Sequence, residues 1–467
     1  MLVDGAPCPL DERWRREIEA ATDDYARGAL RVLALARREL PPNPMDGAQA
    51  RFTPEPVERD LTFLGLVAMM DPPRPEVAAA VARSRAAGIR LVLITGDYGL
   101  TAESIARRVG LVTGPAPRIL LGTEVDGLSD VELQAALADE IICARMAPEH
   151  KLRLVAALQA RGEVVAMLGD GVNDAPALRK ADVGVAMGQT GTDVAKEAAA
   201  VILTNDNYAA LLDAIEEGRA VYDNLRKFIT YIFASNVPEL VPVLAAALLH
   251  WPLALAVPQI LAIDLGTDLL PALALSMERP EPATMRRPPH RRDRPVLDRG
   301  VLMRALLWLG PIETALCYAG FFGVFYLAGF RDLGHLPRYD LLPYAERLTT
   351  AGGLVFVIAT TVFHVGVIAG QIGNALACRT ETYPIRQLGW LSNRYLLAGL
   401  GVELALILAL VYLPPLARLF EHWPLPPLVW VGLALYAPIV LSLEQFRKAW
   451  ARSRERRRQA KRAGGKA

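Results

Sequence analysis

The chain has 467 residues, 52% of them hydrophobic, and a formal net charge of +1. Net charge near zero excludes a nucleic-acid binder that relies on overall positive charge, although residues 447–466 are locally basic. The cysteines have no paired spacing, so we expect neither a disulfide framework nor a zinc site at Cys8, Cys143, Cys317 and Cys378. The first residues lack a basic segment followed by an apolar run, so we expect no signal peptide.

The first half of the chain has the alternating pattern of a soluble α/β domain. Helical spacing of apolar residues predicts a helix within about residues 11–40, followed by a short apolar run at Leu30–Leu35 and a proline-rich loop at 41–44. Further on, the pattern predicts strands at 61–70, 89–94, 163–168 and 183–187, and helices at 76–87, 101–109, 151–160 and 193–199. This alternation predicts a parallel sheet covered on both faces, with ligands bound at the carboxyl ends of its strands.

Acidic residues follow three of these predicted strands. Asp71-Pro72-Pro73-Arg74 closes one apolar run, Thr95-Gly96-Asp97 follows another, and the segment Met167–Leu178 places Asp170 and Asp174 after a third. Carboxylates that converge at strand ends are suitable ligands for Mg²⁺. A Thr-Gly-Asp triplet alone is typical of an ordinary turn. The twelve-residue segment Met167–Leu178 is a far more specific pattern.

The second half of the chain is predicted to cross a membrane. Six apolar stretches, each near the length of about 20 residues that a spanning helix needs, lie at 227–249, 252–276, 301–328, 352–376, 395–414 and 428–446. The linker 278–304 contains eight arginines and no lysine, and the C-terminal tail is also basic. By the positive-inside rule, the soluble half, this linker and both termini are predicted to be cytoplasmic, which an even number of spans allows.

Polar residues interrupt the first two predicted spans. Pro238 and Gly266 free backbone carbonyls that could coordinate a cation, and Asp264 and Asp268 share one helical face. Ionisable residues inside a span indicate a functional site. The alternative is that these side chains only pair with one another. Glu403 is a weaker candidate for which a structural role is as reasonable, and we expect Glu313 to be structural.

The motifs of the soluble half, in this order, resemble the phosphorylation domain of P-type ATPases. They are Asp71-Pro72-Pro73-Arg74, Ile94-Thr95-Gly96-Asp97, Ala144–Lys151, Gly169–Leu178 and Ala181–Gly188. The resemblance continues through Glu216-Glu217-Gly218-Arg219 into the membrane half. It implies an α/β haloacid-dehalogenase-like (Rossmann-like) cytoplasmic domain followed by an all-α six-helix transmembrane bundle. It also implies transfer of a phosphoryl group from ATP to an aspartate, and hydrolysis of the acyl phosphate.

The resemblance assigns roles to individual residues of this phosphoryl-transfer site. Asp170 would hold Mg²⁺, with Asp174 as the second metal residue of the site and Asn173 helping to organise it. Thr95 would hydrogen-bond the transferring phosphoryl group, and Asp97 would support the metal and nucleotide end. Lys151 would neutralise charge on the phosphoryl oxygens, and Gly96 and Arg145 are further catalytic residues of the resemblance. Arg31 matches a position that contacts ATP phosphates, whereas Asp4 stands where the family commonly has a lysine.

The resemblance to sodium/potassium and calcium pumps also implies a set of transport ligands. These are Asn236, Glu239, Asp264, Thr267, Asp268 and Gln371. Asp264 follows the sodium/potassium pattern, and the neutral amide of Gln371 replaces a glutamate of the calcium pumps, so both favour a monovalent ion. Asn374 departs from the aspartate of animal sodium/potassium pumps. The expected partners are therefore Mg²⁺, ATP, the lipid bilayer and sodium, potassium or calcium, with no nucleic acid.

The phosphorylated aspartate of this family lies in an Asp-Lys-Thr-Gly-Thr segment, which these residues do not contain. We therefore expect residues 1–45 to be the end of a nucleotide-binding domain, 46–225 the phosphorylation domain, 226–446 the transmembrane domain and 447–467 a basic cytoplasmic tail. The predicted function is ATP-driven cation transport across a plasma (inner) membrane, completed by pump segments that carry the aspartate. The alternatives are a noncatalytic fragment that binds Mg²⁺ without transport, and a membrane-anchored phosphatase. Acids inside the spans disfavour the phosphatase.

Overall fold

A computed structural model describes residues 1–3, 5–39, 58–115, 117–290 and 295–464. Asp4 and the proline-rich loop predicted at 41–44 lie outside these residues. The chain divides into two compact units, one formed by Met1–Ala214 with Met285–Arg292 and the other by Ile215–Thr284 with Asp293–Ala467.

The first unit begins with a hairpin of β1 (Leu2–Val3) and β2 (Ala6–Pro7), followed by α1 (Glu12–Arg27). The helix predicted within 11–40 ends early, because Ala29 takes a positive φ of 63° and Leu30 N–H donates to Tyr25 O, five residues earlier. The apolar run after it is part of strand β3 (Arg31–Arg37), which pairs with β4 (Thr62–Met69) in antiparallel orientation. The prediction that the strand at 61–70 joins the parallel sheet was therefore wrong.

Two parallel three-stranded sheets form the centre of the first unit. One has the order β5-β7-β6 and the other the order β10-β9-β8. Their strands are β5 (Leu93–Ile94), β6 (Arg118–Leu121), β7 (Ile141–Ala144), β8 (Ala166–Gly169), β9 (Val183–Met187) and β10 (Val201–Leu203). The parallel arrangement was predicted, but β6, β7 and β10 were not, because runs of three or four apolar residues carry little periodicity.

Helices follow these strands as crossover connections. They are α2 (Glu76–Ala86), α3 (Gly99–Arg108), α4 (Gly122–Gly127), α5 (Asp130–Ala136), α6 (Pro148–Ala160), α7 (Ala175–Lys180) and α8 (Asp193–Ala198). Buried apolar residues lie between the helices and both sheets. Leu154 and Val155 of α6 belong to two different clusters of these residues. The layered architecture holds the loops after β5, β7 and β8 on a rigid scaffold.

The second unit is helical. Its segments are α9 (Tyr208–Ser235, which starts in the first unit), α10 (Val237–Leu248), α11 (Val257–Ala262), a π-helical turn (Ile263–Thr267), α12 (Leu269–Ser276), α13 (Arg299–Arg304), a second π-helical turn (Ala305–Leu309), α14 (Gly310–Leu327), α15 (Tyr344–Arg347), α16 (Ala351–Cys378), α17 (Ile385–Leu388), α18 (Arg394–Tyr412), α19 (Pro414–Leu419), α20 (Pro427–Ala434) and α21 (Tyr436–Gly464). Six continuous helical stretches in the described residues are long and apolar enough to cross a membrane.

Helix α16 is the central helix of this bundle. Its apolar stretch is 72% buried, the largest share among the six spans. Glycines allow its neighbours to approach closely: a Cβ on Gly366 would lie 3.1 Å from the Tyr436 ring, and one on Gly373 would lie 2.8 Å from the Ala437 Cα. Small residues at such contacts are typical of membrane helix packing. Side chains that α16 directs at its neighbours are therefore sealed inside the bundle.

Candidate catalytic and cation sites

The two predicted catalytic loops begin at the edges of the two parallel sheets. Thr95 follows β5 directly, and Asp170 follows β8. Within the described residues, β5 pairs only with β7, and β8 pairs only with β9. Just before these strands, the Arg90 guanidinium binds both carboxylate oxygens of Glu163 at 3.0 and 2.9 Å. The two edges are thus neighbours, and each has one side without a strand partner.

The Thr95-Gly96-Asp97 loop is fixed by its own hydrogen bonds. The Thr95 hydroxyl donates to Asp97 Oδ2 at 3.1 Å, and the Asp97 N–H donates back to Thr95 Oγ1 at 3.1 Å. The Met146 N–H after β7 donates to the Thr95 carbonyl at 3.0 Å, which extends the sheet pairing beyond the strand ends. Thr95 is half-buried and Gly96 and Asp97 are exposed. The loop therefore presents one hydroxyl and one carboxylate together at the sheet edge.

The segment after β8 is organised by the buried Asp174 side chain. Its Oδ2 accepts the backbone N–H groups of Asp170 and Gly171 at 3.3 and 3.2 Å, and its Oδ1 lies 2.6 Å from the Lys151 ammonium. Gly169 is required beneath it, because a Cβ there would lie 2.6 Å from the Asp174 Cβ. Both oxygens of Asp174 are therefore occupied by protein donors.

Asp170 and Asn173 are the exposed polar residues of the same loop. The Asp170 carboxylate has no hydrogen-bond or ion-pair partner among the described residues, whereas its backbone carbonyl accepts the Thr192 N–H at 2.9 Å. An exposed carboxylate on a fixed backbone suits Mg²⁺, which takes one or two carboxylates and keeps several waters. Of the two predicted metal residues, the geometry thus leaves only Asp170 available as a direct ligand. Asp174 holds the loop.

Arg145 directly follows β7 and has a strained backbone, with a φ of 51°. Its N–H donates to the Asp97 carbonyl at 3.1 Å, and its guanidinium lies 5.4 Å from the Tyr98 ring centroid. The Tyr98 hydroxyl donates to Asp23 at 3.0 Å, and this hydrogen bond raises the pKa of Tyr98. Asp97, Tyr98 and Arg145 line one side of a cleft of about 790 Å³, and Arg31 lies on its wall. This size is typical of small-molecule sites.

The helical unit contains a separate group of carboxylates. Oxygens of Glu239, Asp264 and Asp268 all lie within 4.8 Å of one another. Glu239 and Asp268 are buried by other residues of the chain, whereas Asp264 is not covered by them. No other group of three or more acidic, histidine or cysteine side chains with this spacing occurs in the described part of the chain. Three oxygens at this spacing are suitable ligands for a hard cation.

The local backbone explains how these carboxylates meet. Pro238 has no N–H, so it cannot donate to the Ala234 carbonyl four residues earlier. The π-helical turn Ile263–Thr267 widens the other helix, and Asp268 N–H donates to Ile263 O at 3.0 Å. Such π-helical turns are frequent at functional sites.

Neighbouring polar groups extend the carboxylate group to α16. The Thr267 hydroxyl lies 3.3 Å from Gln371 Oε1, while the buried Gln371 Nε2 has no partner among the described residues. The Tyr231 hydroxyl donates to Asp268 Oδ1 at 3.0 Å. Asn236 is exposed at the break between α9 and α10, and its side chain does not cap α10. Five of the six predicted ligands thus fall into two sets of neighbouring side chains. One set is Glu239 with Asp264 and Asp268, and the other is Thr267 with Gln371.

Family profiles match both parts of the chain. The profile described as haloacid dehalogenase-like hydrolase matches residues 11–182, and a second of the same description matches 150–215. The profile described as cation transporting ATPase, C-terminus, matches residues 252–450.

Curated relatives align over nearly the whole chain. A calcium-transporting ATPase of Bacillus subtilis (strain 168) is 39% identical over 92% of this chain and 45% of its own length. The endoplasmic reticulum calcium ATPase srcA of Aspergillus fumigatus is 37% identical over 94% of this chain and 46% of its own. The sodium/potassium-transporting ATPase subunit alpha-2 of Gallus gallus is 33% identical, over 96% and 48% respectively. The chain belongs to the cation-transporting P-type ATPase family.

This P-type ATPase chain is a multi-pass membrane protein with a haloacid-dehalogenase-like domain. It spans about half the length of the curated relatives it matches. The predicted family, fold and six spans are therefore confirmed. The two profiles match the soluble half and the membrane half in the order that the motifs predicted.

Sequence reasoning did not single out Tyr231, and its predictions of a structural role for Glu313 and a weaker candidacy for Glu403 stay untested. Tyr231, Ser235 and Glu239 lie at intervals of four residues and share one helix face, a periodicity that could have revealed Tyr231. Glu313 and Glu403 are 0% and 1% exposed, and oxygens of both lack partners among the described residues.

Proposed function

We propose that this P-type ATPase chain performs ATP-driven transport of sodium, potassium or calcium through an aspartyl-phosphate cycle, once segments carrying the phosphorylated aspartate are supplied. The group of Glu239, Asp264 and Asp268 oxygens carries this proposal. A phosphatase anchored by a helical bundle has no use for three converging carboxylates inside the spans. A cation translocase requires them.

In this proposal the first unit supplies one half of the phosphoryl-transfer site. Asp170 holds Mg²⁺, Lys151 and Asp174 fix the loop, and Thr95 binds the transferring phosphoryl group. Mg²⁺ would neutralise charge on the phosphate oxygens. ATP occupies the cleft beside Arg31 and Arg145. Both arginine guanidiniums suit phosphate oxygens, because they donate several hydrogen bonds in a planar fork.

The phosphorylated aspartate is proposed to end a strand that pairs with both open edges. Among the described residues, β5 and β8 each have one edge without a strand partner, and Arg90 and Glu163 connect the segments just before them. Unpaired strand edges favour pairing with another strand. A parallel strand between them would place its last residue between Thr95 and Asp170. This position is where an acceptor for a phosphoryl group is needed.

The noncatalytic alternative has one observation in its favour: the described residues contain no carboxylate that follows a strand between β5 and β8. Two results separate the proposals. An in-frame upstream coding segment for Asp-Lys-Thr-Gly-Thr and further spans would remove the noncatalytic alternative. An upstream coding segment interrupted by a stop codon or frameshift, with no separate chain that supplies the aspartate, would support the noncatalytic alternative.

Phosphate incorporation from γ-labelled ATP tests the site directly. The chain alone, purified in lipid nanodiscs with Mg²⁺, is expected to incorporate no acid-stable phosphate. Together with segments that carry the aspartate, it should incorporate phosphate on that aspartate. Incorporation by the chain alone would contradict the assignment of the nucleophile to another segment.

We also propose a plasma (inner) membrane location with the first unit and both termini on the cytoplasmic side. The arginine-rich linker 278–304 and the basic tail support this orientation. Single cysteines introduced at Arg279 and at Glu346, in a background without native cysteines, test it in sealed inside-out vesicles. A membrane-impermeant maleimide should label the first position and not the second. The reverse pattern would overturn the orientation.

A further inference from the structure

Tyr98 connects two oppositely charged residues on the wall of the 790 Å³ cleft. It directly follows Asp97 and is 40% exposed. Its hydroxyl donates to Asp23 Oδ1 at 3.0 Å, and the centroid of its ring lies 5.4 Å from the Arg145 guanidinium carbon. A guanidinium within about 6 Å of a ring centroid is attracted by the negative face of the ring. One side chain therefore contacts an acid and a base at the same time.

Arg145 has its backbone fixed but its charged end unoccupied. Its N–H donates to the Asp97 carbonyl at 3.1 Å, and its φ of 51° lies in the left-handed region. The residue is exposed, and its guanidinium has no hydrogen-bond or ion-pair partner among the described residues. The contact with the Tyr98 ring leaves the N–H donors of the guanidinium free, because a ring face attracts the charge and takes up none of its hydrogen-bond directions.

Acids in the same cleft compete for that guanidinium. Glu19, Asp23 and Asp97 line the cleft together with Arg145. An ion pair with one of these carboxylates would occupy the donors that a phosphate needs. The Tyr98 hydroxyl binds the Asp23 carboxylate instead, and this hydrogen bond raises the pKa of Tyr98, so the phenol stays protonated at neutral pH. Asp23 is thus held by a neutral donor.

Contacts between α1 and α3 keep the acid and the ring in place. The Ser104 hydroxyl donates to the Arg27 carbonyl at 2.8 Å, and the Arg108 guanidinium donates to the Gly28 carbonyl at 2.7 Å. Arg27 and Gly28 end α1, and Tyr98 is the residue that precedes α3. The hydrogen bond between the two helices' side chains therefore rests on a packed pair of elements and not on a free loop.

We propose that Tyr98 is a positioning residue for nucleotide binding, whose ring holds the Arg145 guanidinium free of the cleft acids so that it binds the phosphate oxygens of ATP. The inference rests on the proposed function, because ATP in this cleft belongs to that proposal. It adds that phosphate affinity depends on an aromatic side chain between an acid and a base. Tyr98 acts through Arg145 and is not itself a ligand of the phosphates.

Isothermal titration calorimetry of ATP binding to the full chain in lipid nanodiscs tests this role. Tyr98→Leu removes the ring and should weaken ATP binding about two- to fivefold, the loss that corresponds to a cation–π contact at an exposed site. Tyr25→Leu is the matched control, because Tyr25 is an exposed tyrosine of α1 that does not line the cleft, and it should bind ATP like the wild type. Unchanged ATP affinity in Tyr98→Leu would overturn the proposal.

A double-mutant cycle shows whether Tyr98 acts through Arg145. Arg145→Leu should weaken ATP binding, and the addition of Tyr98→Leu to that variant should cause no further loss. A purely structural role of the ring predicts the same fold-loss with and without Arg145. That additive result would overturn the positioning role.

A second pair of variants tests the hydroxyl and keeps the ring in place. Tyr98→Phe releases the Asp23 carboxylate, which then competes for Arg145, so ATP binding should weaken. Tyr98→Phe combined with Asp23→Asn removes the competing charge and should restore the wild-type affinity. Failure of this restoration, with unchanged helicity, would contradict the separation of Asp23 from Arg145 by Tyr98.

The proposed function fails by a different result. A wild-type chain that binds no ATP at millimolar concentration would remove ATP from this cleft, and the positioning role would fall with it. If Arg145→Leu weakened ATP binding and Tyr98→Leu did not, only the positioning role would fail.

Discussion

At the residue scale, the loop after β8 depends on a single ion pair between nearly buried side chains. Lys151 and Asp174 side chains are 16% and 9% exposed, and their charged atoms lie 2.6 Å apart. Asp174 also accepts two backbone N–H groups, so it determines the path of the chain through Asp170. Lys151 is thereby fixed at the base of the loop that carries Asp170. Its positive charge is positioned before any phosphate arrives.

Replacing Lys151 by methionine should destabilise this loop. The change leaves a nearly buried Asp174 carboxylate without its cation, which we expect to cost about 2–3 kcal/mol, below the range for fully buried pairs because Lys151 is partly exposed. Hydrogen exchange of peptides covering residues 167–178 measures the loss. Lys180→Met is the control, because Lys180 is exposed on the neighbouring helix. Equal protection in both variants would show that the pair contributes nothing.

Asp206 should make the first unit sensitive to acid. Hydrogen bonds from the backbone N–H groups of Gln189 and Thr190, and from the Thr190 hydroxyl, lower the pKa of Asp206 from 3.8 to about 2. Because the folded pKa is the lower one, the unfolded chain binds the proton first as pH falls. The stabilisation is therefore complete above pH 4 and is lost between about pH 4 and 2.

Hydrogen exchange of peptides spanning 188–206, corrected for intrinsic rates, tests this pH dependence. Asp206→Asn should lower protection at pH 5 and should lose less further protection on acidification than the wild type. Asp139→Asn, at an exposed position, should retain the wild-type profile. A wild-type acid profile in Asp206→Asn would exclude this carboxyl as the cause.

Single residues also mark the limit of sequence-based prediction. The family resemblance predicted Thr95, Asp97, Asp170 and Lys151 as one site, which stays a prediction; the structure connects Lys151 with the Asp170 backbone through Asp174. The resemblance could not reveal that both Asp174 oxygens are occupied, since that depends on how α6 directs Lys151. The structural role predicted for Glu313 stays a prediction; the sequence could not show that its carboxyl group packs against Gly370.

At the element scale, close helix contacts determine the geometry of the bundle. Gly373 of α16 lies against the Ala437 backbone of α21, and Gly310 at the start of α14 lies against Val237 of α10. A Cβ at Gly310 would be only 2.4 Å from the Val237 Cγ2. The Ala437 backbone cannot move aside as a flexible side chain can, so Gly373 in particular holds its two helices in register.

Gly373→Ala should therefore destabilise the bundle. Its Cβ would be 2.8 Å from both the Ala437 Cα and carbonyl oxygen, and we expect overpacking to cost about 1–3 kcal/mol. Thermal unfolding of the purified chain in detergent measures this change. Gly401→Ala on α18 has open space around its Cβ and should instead be neutral or stabilising by up to about 1 kcal/mol. Similar midpoints for the two variants would contradict the packing argument.

Long elements were predictable from the sequence and short ones were not. The six spans follow from apolar length alone, and the strand predicted at 183–187 has the same bounds in the structure. The predicted helix within 11–40 failed because Gly28 and Ala29 end it, and the next apolar run pairs with a strand distant in sequence. Register with a distant partner leaves no local periodicity in the sequence.

At the scale of the whole molecule, the chain combines a divided sheet with a bundle that contains charged groups. The loops after β5 and β8 and the group of Glu239, Asp264 and Asp268 lie in different units. In the proposed function, phosphoryl transfer takes place at the first of these sites and cation binding at the second. The proposed transport cycle requires these two events to be linked.

That linkage predicts opposite behaviour for two aspartate substitutions in the pump completed by the segments that carry the phosphorylated aspartate. Asp170→Asn should abolish phosphoenzyme formation from ATP, because the proposed Mg²⁺ ligand loses its charge. Asp268→Asn should leave phosphorylation from inorganic phosphate intact and remove its dependence on cations, because only the bundle site is altered. Acid-stable incorporation of labelled phosphate, with and without Na⁺, K⁺ and Ca²⁺, measures both effects.

Asp139→Asn, exposed and distant from both loops in sequence, is the control and should match the wild type in each assay. Near-normal phosphorylation of Asp170→Asn would remove Asp170 from the metal site. Retained cation dependence in Asp268→Asn would remove Asp268 from the transport site. Loss of phosphorylation both from ATP and from inorganic phosphate in one variant would mean that its substitution disrupts folding. Unchanged Na⁺ binding by Asp170→Asn would exclude this explanation for that variant. The crossed pattern is expected only if chemistry and cation binding reside in different units and are linked through the cycle.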